Sequence, residues 1–255
     1  TGDISAEAGF ALAREAFGDW KKPATPLTPQ PAVRPSGKTR AIGIDIPGTG
    51  QASVNVLKPS IARNDPDYYP ALVATTVLGG GYSARLNQEI RIKRGLSYGA
   101  RAGLSTARTT GSFRASAQTK NESAAEVLDL INAELTKMTA APAGADELKA
   151  RKSVLVGGYG RELATSGGLA DILGGYAIYD VPLDEVGRYT AKVEAVDAAQ
   201  VQAFARRAFD PAQASVVVAG DGKVFAPALK AKLPSLEVIP VDQLDLESPT
   251  LKKAR

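Results

Sequence analysis

Leu78-Gly79-Gly80-Gly81-Tyr82-Ser83-Ala84-Arg85-Leu86-Asn87-Gln88-Glu89-Ile90-Arg91-Ile92-Lys93-Arg94-Gly95-Leu96-Ser97-Tyr98-Gly99 is the stretch around which the chain is organised. Gly79, Gly80 and Gly81 end an apolar helical run. Ser83 has the chemistry to cap the next helix, because its hydroxyl can accept an orphan N–H of the first turn. Leu86 and Ile90, four residues apart, share one face of that helix, with Arg85, Glu89, Arg91, Lys93 and Arg94 around the rest. Gly95 is placed to close it as a residue that tolerates a left-handed backbone. A strand then begins near Ser97 and Tyr98. The pattern sets a basic helix terminus beside a tyrosine, and a cation and a phenol held together can bind a peptide carbonyl or a developing oxyanion.

Outward from this block, local signals give a series of hairpins and helices. Ser5 to Trp20 is predicted as an amphipathic helix with Phe10, Ala13 and Phe17 on one stripe. Pro23, Pro26, Pro29, Pro31 and Pro35 then make Lys21 to Lys38 an extended linker. Ile42, Ile44 and Ile46 alternate with Gly43 and Asp45, Pro47 to Gly50 turn the chain, and Ala52, Val54 and Val56 alternate on the return, which predicts a hairpin. Asp65-Pro66 opens a helix running to the three glycines. A second hairpin is expected over 97–106 and 111–120.

Ser123 and Glu126 have capping-box spacing before a helix over 121–139, and a long helix follows over 146–164. Its Gly157, Gly158 and Gly160, with Gly167, Gly168, Gly174 and Gly175, fit no phosphate-binding spacing and read as close helix packing or a bend. Short helices are expected over 169–179 and 183–189, and Asp197 and Gln200 cap another. Ala214 to Ala219 is a buried strand ending in Gly220-Asp221, 224–233 a short helix or turn, and 234–255 an extended tail. Gly220-Asp221 echoes Gly2-Asp3, as successive units of one repeated architecture would. Hairpins with intervening helix pairs predict an α+β fold with an antiparallel-rich sheet. The organisation expected is a connecting helix and linker over 1–38, a main domain over 39–233 and the tail.

Leu78-Gly79-Gly80, Ser83, Leu86, Ile90-Arg91 and Gly95-Leu96-Ser97-Tyr98 together resemble the second-half domain of the pitrilysin/insulinase family of zinc peptidases, which includes the mitochondrial processing peptidase. The resemblance extends from about Thr39 to Gly220. It implies a processing-peptidase-like fold, helices packed on one face of the sheet, and a non-catalytic half that walls a peptide-binding chamber. In that family an arginine and a tyrosine seven residues apart reach a zinc site carried by another half. Arg91 and Tyr98 have that spacing, with Arg94 as a nearer basic neighbour and Gly79, Gly80 and Gly81 as a tight backbone turn beside the site. By pseudo-symmetry the helix after Asp65-Pro66 takes the place of a zinc-bearing helix, yet it offers Tyr68, Tyr69 and Pro70.

Composition sharpens this reading. The 255 residues are 44% apolar and 23% charged, with a net charge of +4. That balance lacks the strong basic stripe of a nucleic-acid binder, and no run is long enough to span a bilayer. The chain has no cysteine and no histidine. Thiol chemistry, Ser-His-Asp triads and imidazole bases are therefore excluded. The family's His-x-x-Glu-His zinc motif is excluded too, so the resemblance implies that zinc, its water and the glutamate base belong to a partner half, in the same polypeptide or another subunit. This chain alone is expected to be inactive and to hold no cofactor, with a bacterial periplasm the compartment suggested by family habit. Two other readings fit the same residues: a scaffold domain that kept the fold without the chemistry, and an autonomous module binding peptides along an exposed strand edge.

Overall fold

The computed structural model describes residues 1–25 and 38–253. Most of the proline-rich linker, including Pro26, Pro29, Pro31 and Pro35, lies outside the described residues. The elements in order are α1 (Ala6–Phe17), β1 (Ala41–Asp45), β2 (Gln51–Ser60), α2 (Tyr68–Gly79), α3 (Arg85–Asn87), β3 (Ala100–Ser105), β4 (Gly111–Lys120), α4 (Ala124–Ala140), α5 (Ala145–Leu163), α6 (Ser166–Ile178), α7 (Glu185–Ala195), α8 (Ala198–Ala208), β5 (Ser215–Gly220), α9 (Gly222–Lys232) and β6 (Glu237–Pro240).

The fold is α+β. Six strands form one sheet in the order β3-β4-β2-β5-β1-β6. Pairings β3/β4, β4/β2 and β2/β5 are antiparallel, whereas β5/β1 and β1/β6 are parallel, so the sheet is mixed. The hairpin expected over 97–120 forms as β3 and β4. The one expected over 39–56 does not, because β5 enters between its arms. Residues 216–219 are apolar on both faces, and such a run is satisfied only by a central position. Ile46 N–H donates to Gly220 O (2.7 Å), and Asn121 ties Thr49 O to Asp221 N–H (2.7 and 2.9 Å), which holds the wedge open.

One face of the sheet carries the core. Ala52, Val54, Val56, Phe113, Ala115, Ala117, Val216 and Val218 are buried against Val73, Val77 and Leu78 of α2, against Val127, Ile131 and Leu135 of α4, and against α8 and α9. Strand alternation then sends Arg101, Ser116, Asn55 and Val217, partners in one transverse row, to the other face. On that face β1 and β6 are covered. Ile42 and Ile239 are buried there, and the Arg40 guanidinium donates to Pro249 O and Thr250 O. The stretch from Pro234, expected as a free extended tail, thus adds β6 to the sheet and folds back over it.

Other local expectations divide by how closed their signals are. Asp197 and Gln200 form a full capping box at α8. Ser123 makes no side-chain cap, because a 3₁₀ turn over Asn121–Ser123 already gives it a helical backbone. Gly157, Gly158 and Gly160 do not mediate close packing. A methyl group at the first two would meet only arms of Arg161, and at Gly160 nothing within 4 Å. The α1 stripe is exposed, with Phe10, Phe17 and Trp20 outside the core.

Candidate functional site

Four sets of contacts and one backbone conformation fix the glycine-to-tyrosine block. α2 ends where Gly79 lies flat on β3: a methyl there would come within 2.6 Å of Arg101 C and nearer still to Ala102 N. Gly81 takes φ +146°, a turn that side chains disfavour. Ser83 does not cap the next helix. Its hydroxyl and carbonyl accept from Arg151 (2.7 and 3.1 Å), a buried α5 arginine, and Ala84 is the cap position. Arg85 forks onto Glu147 of α5 (2.8 and 2.7 Å). Asn87, buried, donates to Tyr82 O (2.6 Å) and accepts from Ala100 N–H (3.2 Å), joining both ends of the block.

The helix itself is α for three residues and then a π turn over Gln88–Ile92. Leu86 and Ile90 are buried on its inner face. Gly95 closes it as expected, at φ +64°, with Gly95 N–H on Arg91 O and Leu96 N–H on Ile90 O, both 2.9 Å. The Gly95 bond is the single 5→1 bond of an αL cap, and the Leu96 bond reaches one residue further back than a Schellman bond would, following the wider π turn. Thr119 then donates to Leu96 O (2.6 Å). The Ser97 hydroxyl accepts from Gly99 N–H (3.0 Å), forming a small turn with Tyr98 at its apex.

Tyr98 is 88% exposed and makes no hydrogen bond among the described residues. It borders an open cleft of about 750 Å³ on the sheet's uncovered face, over β2, β4 and β3. Arg91 lies outside that lining, its guanidinium 4.9 Å from the Tyr82 ring centroid, without an ion pair among the described residues. Arg94 is engaged: it donates to Glu89 O (3.0 Å) and Glu89 Oε2 (2.7 Å). Hydrogen bonds from Lys93 and then Arg94 hold the Glu89 carboxyl below the usual carboxylate range. Gly79, Gly80 and Gly81 serve packing and the turn, since Gly80 likewise lies against Thr76.

Two sets of residues were not singled out by the sequence. The cleft floor is Arg101, Arg114, Gln118, Gln51 and Ser53, whose only signal was polar alternation. A smaller hollow of about 380 Å³ lies at the start of α2. There Arg63 sits 3.7 Å from the Tyr68 ring centroid, and buried Glu185 accepts from Tyr69 and from Lys192 (2.7 and 2.6 Å). Burial pushes the Glu185 carboxyl up, but the Lys192 and Tyr69 hydrogen bonds outweigh it and leave it lowered. Burial raises Tyr69 and Tyr189. At the β3 edge, Asn87 and Gly79 occupy outward backbone positions, which argues against strand addition there.

No metal can be assigned to these groups. Histidine and cysteine are absent, and the described residues contain no cluster of three or more acidic ligands. No described helix is long and apolar enough to cross a membrane.

Residues 1–155 match the peptidase M16 inactive domain. The chain belongs to this family. An uncharacterized zinc protease of Streptomyces coelicolor is 43% identical over 88 residues, 33% of this chain and 18% of that protein. Among solved structures, a peptidase M16 inactive domain from Pseudomonas fluorescens superposes with TM-score 0.71 at 27% identity, covering 86% of this chain and 52% of that one. A protease from Helicobacter pylori gives TM-score 0.74 at 19% identity, covering 86% and 53%, and shows the likeness of fold alone. This M16 inactive domain therefore spans about half the length of those solved chains. The resemblance to zinc peptidases read from 78–99 holds, as does the expectation of a non-catalytic domain of such a family.

Proposed function

We propose that this M16 inactive domain walls a peptide-binding chamber with the uncovered face of β2, β4 and β3, and lends Arg91 and Tyr98 to a zinc site on a catalytic half. The observation that carries the reading is the presentation of Tyr98. A phenol held at the apex of a hydrogen-bonded turn, 88% exposed beside a large cleft, has no packing role to explain it.

In this reading Tyr98 Oη donates to the scissile carbonyl oxygen as negative charge grows on it. The Arg91 guanidinium, stacked on Tyr82 and free of carboxylates among the described residues, donates to a neighbouring peptide carbonyl. Each donor acts on substrate and needs no proton transfer within this chain. Zinc held by the other half would supply the attacking water. Residues of this chain do not fit the metal, so they bind and polarise only.

The test is reconstitution with the zinc-bearing half. Tyr98→Phe and Arg91→Ala should each lower kcat/KM about tenfold or more, with melting temperatures unchanged because neither side chain is packed in the core. Unchanged kinetics in both variants would overturn the assignment.

A further inference from the structure

We infer that the cleft selects acidic peptide segments, with carboxylates at alternate positions of an extended chain; this rests on the chamber reading and names its substrate class. The cleft is floored by β3, β4 and β2 and bordered by Tyr98. Its lining contains Arg101 and Arg114 and no Asp or Glu. The other polar groups are hydroxyls and amides, among them Ser53, Ser116 and Gln118, which suit a peptide backbone.

The two arginines are arranged rather than scattered. Arg101 pairs with Ser116 across the β3/β4 ladder, and Arg114 pairs with Gly103. They are thus diagonal neighbours on one face, about 7–8 Å apart at their backbones. Alternate residues of an extended peptide are about 7 Å apart and point the same way. Gly103 leaves space beside Arg114 where a side chain would otherwise stand.

Both guanidinium groups have donors to spare. Arg114 Nε is bound to Asn55 Oδ1 (2.9 Å), and its other nitrogens make no hydrogen bond among the described residues. Arg101 makes none. Glu89, an acid of the preceding helix, is already occupied by Lys93 and Arg94. A nucleic acid is the less suited occupant, because Tyr98 is the lone aromatic of the lining and bases need a stacking platform.

The experiment is fluorescence anisotropy of the full chain with labelled ten-residue Glu-Ser and Lys-Ser repeats at low salt. The Glu-Ser peptide should bind about tenfold more tightly, and Arg101→Gln with Arg114→Gln should remove that preference. Arg101→Gln alone, which breaks no bond, should halve or better the affinity for the acidic peptide and guards against misfolding of the double variant. Equal affinity for the two peptides, or none, overturns the acidic preference whatever the fate of Tyr98. Displacement of the Glu-Ser peptide by an equimolar oligothymidylate, or by the zinc-bearing half, overturns it as well. Failure of the chamber reading itself is read separately, from the kinetics of Tyr98→Phe.

Discussion

Replacing Gly79 with alanine tests the claim that the glycines of the central block are there for packing. Alanine is the better helix former by about 1 kcal/mol, and Gly79 is the last residue of α2, so propensity alone predicts stabilisation at most of that size. The structure predicts the reverse. The added methyl would lie 2.6 Å from Arg101 C and 2.8 Å from Ala102 Cβ, and closer to Ala102 N. These are backbone and Cβ atoms of a strand already paired with β4, so no rotamer change relieves the overlap. Overpacking costs about 1–3 kcal/mol, and a backbone-on-backbone clash belongs at the top of that range. Subtracting the propensity gain leaves a net loss of about 2 kcal/mol, or about 4–8 °C in Tm for a chain of this size. Gly160→Ala is the matched control. It lies exposed within α5 with nothing within 4 Å, and should raise Tm by about 2–4 °C. Thermal unfolding of both variants followed by circular dichroism decides the matter. If Gly79→Ala melts at or above wild type, the close approach of α2 to β3 is not what the glycine provides.

Asn87→Ala should cost about 2 kcal/mol, since it orphans Tyr82 O and Ala100 N–H near the core, and urea unfolding would show the midpoint fall with the slope unchanged. Gly95→Ala should cost about 1 kcal/mol, entirely through its φ of +64°, because nothing crowds the position; Gly95→Asn should recover part of that loss in the same measurement. Glu185 has its pKa lowered in the folded chain, so its stabilisation is full above the ordinary glutamate range and is lost as pH falls through the folded value. Melting temperatures from pH 7 to pH 3 should accordingly fall less steeply in Glu185→Gln than in wild type, from a lower starting value at pH 7.

The elements that were legible in the sequence are those whose signals close within a few residues. Gly95 needed only the helix before it to be recognised as a left-handed stop. Asp197 and Gln200 needed only each other, and the β3/β4 hairpin only its own turn. The hairpin expected from Ile42 to Val56 failed because its arms are separated by β5, more than 150 residues later in the chain, and alternation says which face a strand buries without saying beside whom it lies. Ser83 failed similarly. Its capping chemistry was real, but Arg151 of α5 claims the hydroxyl, and no local pattern announces a buried arginine. In the candidate site, Arg91 and Tyr98 stood out through a spacing shared with a family, whereas Arg101 and Arg114 looked like the solvated side of two strands. Only the register, which sets them diagonally on one face, distinguishes a floor from a surface.

The position of that floor follows from how the two ends of the sheet are treated. Rows across the sheet carry Arg101, Ser116, Asn55, Val217 and Ile42 on the same face, yet Ile42 is buried and Arg101 is exposed. The difference is the C-terminal segment, tied by Arg40 to Pro249 O and Thr250 O, which closes the face over β1 and β6. At the opposite end the chain closes the edge instead: Asn87 takes the Ala100 N–H and Gly79 lies against Ala102, so β3 is protected from strand pairing while its face stays free. A covered edge beside an open face favours recognition by side chains rather than by backbone ladder bonds. In the proposed reading, charge on the floor, more than strand addition, is therefore what selects the occupant of the cleft.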